Sequence, residues 1–122
     1  MNKREVLDDC LIISDENGVQ LLTIKEAFEE GIMNISLNGN INMNVAHDFE
    51  DEMTSVVTVC DRITLDFDGV EVICSAGLKT LLNVQQALDD RADSELKLKN
   101  LRTPVMATFQ EMGFAELFEI EK

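Results

Sequence analysis

The chain has 122 residues, enough for one domain that buries its own core. Its 24 acidic and 10 basic side chains give a formal charge of −14, which repels phosphate backbones and anionic lipid and argues against nucleic acid or a membrane surface as a partner. The same excess attracts a basic partner surface, besides keeping the chain soluble.

No apolar run has the length of a signal peptide core or of a bilayer span, so a cytoplasmic protein is expected. Cys10, Cys60 and Cys74 form no CxxC and read as reduced thiols. Trp and Tyr are absent, which leaves the core to aliphatic residues, Met and six Phe.

Residues 1–20 are read as an N-terminal extension. Val6 to Ile13 fits a short helix; alternatively, Leu11 to Ile13 fits a strand turned back by Asp15-Glu16-Asn17-Gly18. From residue 21 to 122 the pattern is that of one folded unit. Leu22, Ile24 and Phe28 alternate, interrupted by Glu26, and Met33, Ile35 and Leu37 alternate after a turn at Glu29-Glu30-Gly31. Period two predicts a strand pair.

Asn44 is placed to cap a helix whose apolar face is Val45, Phe49, Met53, Val56 and Cys60. Ile63, Leu65 and Phe67 form the next strand, broken at Asp68-Gly69. A second helix starts near Ser75, carries Leu78, Leu81, Leu82 and Leu88, and stops at Asp89-Asp90-Arg91. Leu96 and Leu98 predict a fourth strand. Thr103-Pro104 opens a third helix, Thr103 suiting the cap and Pro104 the first helical position, with Val105, Met106, Phe109 and Met112 on its apolar side. Gly113 suits the left-handed position after it, and Phe114, Leu117, Phe118 and Ile120 pack a final turn. Met43, Met53, Met106 and Met112 read as core fillers. Together these elements give an α/β fold with a mixed sheet.

One segment is more specific. Ile63-Thr-Leu-Asp-Phe-Asp-Gly-Val-Glu-Val-Ile-Cys-Ser-Ala-Gly-Leu78 resembles the signature of STAS domains, shared by sulfate transporters and anti-sigma-factor antagonists. Asn100-Leu101 and Gly113 to Phe118 are similar to the family's C-terminal pattern, so the resemblance spans about residues 21 to 120. It implies a single domain with a four- or five-stranded mixed sheet and helices mainly on one face. It also implies a partner switch. In the antagonist branch a serine kinase, which is also the anti-sigma factor, binds the domain and phosphorylates the serine that matches Ser75.

The residues support such a switch on their own terms. A phosphate adds roughly −1.5 to −2 charges. A helix start tolerates that charge, whereas a partner packed over it meets a new anion. Taken alone, a serine at a helix start is more often a cap. The expected docking surface is the start of the Ser75 helix, the loop Asp68 to Val72 and the exposed side of that helix, with Asp66, Asp68, Gly69, Val70, Cys74, Ser75, Ala76, Gly77 and Lys79 as its candidate residues and Gly77 giving a partner close access. The antagonist pattern has Asp where this chain has Cys74. That departure suits a second role, the STAS subunit of a phospholipid ABC transporter, which is not phosphorylated.

No Gly-rich phosphate loop, Ser/His/Asp set or metal-ligand spacing is present, and His47 is the single histidine. No catalytic residue, metal or cofactor is expected, and the chain is read as a regulatory module, not an enzyme. Homo-oligomer formation is left open.

Overall fold

The computed structural model describes residues 1–121. Seven strands form one sheet in sequential order: β1 (Lys3–Leu7), β2 (Cys10–Ser14), β3 (Gln20–Glu29), β4 (Ile32–Gly39), β5 (Arg62–Gly69), β6 (Glu95–Lys99) and β7 (Glu119–Glu121). β1 to β4 are an antiparallel meander. β4 to β7 pair in parallel, and each parallel step passes through a helix: α1 (Ala46–Val59), α2 (Ser75–Asp89), then α3 (Thr103–Glu111). The mixed α/β sheet is as expected, but it has seven strands instead of four or five.

The extra strands come from both ends of the chain. Of the two readings of Val6 to Ile13, the strand is the one adopted. Leu11 and Ile13 are buried while Ile12 is half-buried, the alternation of a one-sided strand. Asp15 turns the chain back: its carboxylate accepts the Asn17 and Val19 N–H groups at 2.9 Å each, and Gly18 takes a φ of +85°. At the other end, Phe118 to Ile120 do not finish in a turn. A 3₁₀ turn, Ala115–Leu117, leads into β7, whose Ile120 pairs with Leu98 of β6.

Burial falls on one face of the sheet. Leu22 and Ile24, Ile35 and Leu37, Ile63, Leu65 and Phe67, and Leu96 and Leu98 all lie in the core beneath the helices. The helices contribute Phe49, Met53 and Val56, then Leu78, Leu81, Val84 and Leu88, then Val105 and Phe109. With no Trp or Tyr, the aromatic contacts are Phe–Phe pairs. Phe109 meets Phe67 edge-on at 6.5 Å between ring centroids and Phe118 at 5.6 Å.

Three local expectations shift. Asn44 does not cap α1; Val45 occupies that position without a side-chain cap. At α3 the cap position is Arg102, so Thr103 is already helical with Pro104 behind it. Met53 is buried as expected, but Met43 is 70% exposed and Met112 45%, so neither fills the core. No helix among the described residues is long and apolar enough to cross a membrane.

Candidate partner-docking site

The C-terminal ends of β4 and β5 open into two loops that lie side by side. A parallel bridge joins Ile41 to Ile73: Ile41 N–H donates to the Val72 carbonyl at 2.9 Å, and Cys74 N–H donates to the Ile41 carbonyl at 2.8 Å. Both isoleucines are buried, which anchors the loops to the core. Met43 lies two residues past the bridge on one loop, and Ser75 two residues past it on the other, where α2 starts.

Ser75 is the first residue of α2 and is exposed. Cys74, in extended conformation, holds the cap position, and no side chain caps the helix. Leu78 N–H is the first to return to the cap carbonyl, at 3.1 Å. The N–H groups of Ser75, Ala76 and Gly77 therefore precede the intrahelical ladder and form the positive end of the helix. Ser75 is thus not the cap that a lone helix-start serine would suggest.

The expected docking residues separate into three groups. Ser75, Asp68 and Lys79 are exposed, and Cys74 and Ala76 are half-buried beside Ser75. Val70 and Gly77 face inward and correct the expectation. Val70 is fully buried in the core. A Cβ at Gly77 would lie 2.9 Å from Ile41 Cγ2 and 3.0 Å from Ile73 Cγ1, so this glycine lets α2 seat on the bridge and offers nothing to a visiting protein. Gly69 has a similar reason: its Cβ would lie 2.8 Å from the Leu37 carbonyl oxygen of β4.

Asp66 lies on the sheet face away from the helices, in alternation with Leu65 and Phe67. Its Oδ1 accepts the Asp68 N–H at 2.9 Å and the Asn100 side-chain amide at 3.0 Å. Asp68 in turn accepts a hydrogen bond from Arg102 Nε at its carbonyl oxygen. These two acids shape the loop, and only Asp68 is exposed.

Sequence reasoning placed the loop through Val72 in this surface but missed Met43, which it read as a core filler. Met43 is 70% exposed and Val72 47% exposed, on the two bridged loops that flank the start of α2. An available signal was Met43 itself: it stands among Asn40, Asn42 and Asn44, outside the period of either neighbouring element.

A depression of about 640 Å³ lies elsewhere, between β1 and the start of α1, lined by Arg4, Asn44, His47, Asp48 and Asp51 among others. On that helix His47 Nε2 sits 3.5 Å from Asp51, which Arg4 already engages at 2.8 Å. The Ser75 region carries an exposed serine, two exposed apolar side chains on the bridged loops, and the exposed acids Asp68 and Glu71 on the chain that leads to α2.

A family profile described as "Mlab, STAS domain" matches residues 24–119. A protein of Bordetella bronchiseptica named as an anti-sigma factor antagonist, BtrV, is 30% identical over 92 residues, 75% of this chain and 78% of the relative. The crystal structure of an anti-sigma factor antagonist from Mycobacterium paratuberculosis superposes with a TM-score of 0.73 at 21% identity, over 81% of this chain and 84% of that one. The phosphorylated form of the Bacillus cell fate determinant SpoIIAA superposes with a TM-score of 0.61 at 14% identity, over 81% and 91% of the two chains.

Proposed function

The chain belongs to the STAS domain family, in its anti-sigma-factor-antagonist type, and from that premise we propose that it docks on a serine kinase that is also an anti-sigma factor and is released when Ser75 is phosphorylated. The observation that carries this reading is the exposed Ser75 at the first position of α2, ahead of three N–H groups that the helix does not use.

The chemistry follows from that position. The hydroxyl is a nucleophile that a kinase active site can reach without unfolding the domain. The product phosphate lies against the N–H groups of the first turn, where the helix dipole favours negative charge. The domain keeps its fold, but a partner seated on Met43, Val72 and Ser75 must now desolvate or pair the new anion. Weakened docking is the output. The net charge of −14 makes a basic partner surface the complementary one.

Cys74 favours a second reading, because the antagonist pattern has Asp in that place. In it the domain braces the ATPase of a phospholipid ABC transporter and Ser75 is never modified. One experiment separates the two. Wild-type protein and Ser75→Asp are used for affinity capture from native lysate, with circular dichroism on both and phosphopeptide mass spectrometry over residues 70 to 85. A serine kinase captured by the wild type and lost by Ser75→Asp, with unchanged dichroism, supports the switch. An ABC ATPase captured equally by both proteins supports the second role. Undiminished kinase capture by Ser75→Asp overturns the switch.

A further inference from the structure

The helix-facing side of β3 runs Leu22, Ile24, Glu26, Phe28, opposite Gly39, Leu37, Ile35 and Met33 of β4. Glu26 therefore puts a carboxyl where the pattern of the strand asks for an apolar side chain. Its Oε2 is buried and has no hydrogen-bond partner among the described residues. None of the ion pairs among those residues involves Glu26 or its neighbour Glu52.

Among the described residues, no cation acts on this carboxyl. From α1, Glu52 faces Glu26 across the sheet–helix interface, and the Cys60 thiol at the end of the helix feels the Glu26 charge. From β4 the opposite residue is Ile35. On the β2 side, Asp9 offers only its carbonyl, which accepts the Glu26 backbone N–H at 2.8 Å. Burial first, then hydrogen bonding and repulsion from Glu52, push the Glu26 carboxyl up from 4.5 to about 8.

We propose that Glu26 and Glu52 share one proton across the β3–α1 interface, and that loss of this proton to solvent base loosens the seat of α1 on the sheet. With one proton present the pair carries a single negative charge, and α1 rests on β3. With none, two like charges meet at an interface that holds no counter-ion, and burying the second charge is unfavourable. The strand is held by ladders on both edges, so the helix is the element that gives way. α1 begins directly after the loop that carries Met43, so its seating bears on the shape of the docking patch.

The sign of the pH dependence is fixed by the raised pKa. The unfolded chain releases this proton near 4.5, whereas the folded chain holds it to about 8. Folding is then disfavoured progressively as pH rises between those values, and the disadvantage is complete above them.

The test is a ¹³C-carboxyl NMR titration of the full chain, with thermal unfolding followed from pH 5 to pH 9. The expected result is one carboxyl that titrates near 8 and is missing in Glu26→Gln. In Glu52→Gln the same midpoint moves down but stays above the ordinary range, because burial persists. The unfolding temperature of the wild type falls with pH more steeply than that of Glu26→Gln. A Glu26 carboxyl that titrates with the exposed acids overturns the proposal, as does an equal pH slope in Glu26→Gln. Should Glu26→Gln fail to fold, the wild-type titration alone decides. Each readout is independent of any partner, so its failure leaves the Ser75 reading standing.

Discussion

Arg4 on the edge strand β1 donates from Nε to Asp48 Oδ1 of α1 at 2.6 Å, and its guanidinium also reaches Asp51 at 2.8 Å. Asn2 adds bonds to the Asn44 carbonyl at 2.7 Å and to Asp48 Oδ2 at 2.9 Å. These contacts explain why β1 exists at all. All five of its residues are exposed, so no burial holds it, and among the described residues its ladder with β2 and this polar clasp keep it on the sheet.

Replacing Arg4 with Ala should therefore free β1 and leave Asp48, a buried carboxylate, short of its main partner. The expected loss is about 1–2 kcal/mol, in the range of a charge-assisted hydrogen bond to a partly buried group. Urea unfolding measures it, and hydrogen exchange should show residues 3–7 losing protection first. The clasp also weakens in acid. Hydrogen bonding to Arg4 holds the Asp51 carboxyl below its usual range. Its contribution is present at neutral pH and is lost as pH falls through that lowered value.

Gly77 offers a sharper test of packing. Substitution by Ala places a Cβ against Ile41 and Ile73, both buried in the core, so one of them must shift. The helix propensity of Ala would favour the change by up to about 1 kcal/mol. Overpacking at the bridge should outweigh it, for a net loss of about 1–2 kcal/mol. Denaturant midpoints check this, and Ile41→Ala combined with Gly77→Ala should cost less than the sum of the two singles. Additivity would show that the two residues do not meet as described.

How far the residues alone could be read is clear from particular elements. α1, α2 and β5 follow from apolar spacing, because each buries one face completely. Ser75 was legible because a sequence signature and a helix start coincide there. β1 was not legible: Lys3 to Leu7 has no alternation, since neither face is covered. β7 is three residues long, too short for any period to show. Gly77 was misread as open to a partner because a glycine in a helix's first turn looks the same whether it faces solvent or a neighbouring loop. Only the Ile41–Ile73 bridge, which joins loops 32 residues apart, settles the direction.

The three thiols should differ in reactivity. Cys60 is buried, and desolvation first, then the charges of Glu26 and Asp61, raise its pKa. Thiolate is the reactive form, so Cys60 is doubly protected. Cys10 and Cys74 are half-buried and open to reagent. Under native conditions a neutral thiol probe should label Cys10 and Cys74 before Cys60, with Cys60 catching up only in denaturant. Peptide mapping after timed labelling decides it, and early labelling of Cys60 would show that the end of α1 is open.

Met43 carries the last prediction. Its side chain is 70% exposed, and its neighbours Asn42 and Asn44 are polar, so Met43→Ala removes little from the core and should leave stability within about 0.5 kcal/mol. If the patch beside Ser75 is where the partner seats, the same substitution uncovers its apolar centre. Losing a buried methionine contact of an interface should weaken binding by about 1–2 kcal/mol, roughly tenfold. Lys79 is the internal control. It is exposed one turn further along α2, and a rim charge on an acidic domain should change the salt dependence of binding more than its strength. Titration calorimetry of wild type, Met43→Ala and Lys79→Ala against the captured partner separates the two effects. Equal affinities for wild type and Met43→Ala would show that the partner does not seat on the loop bridged to the start of α2.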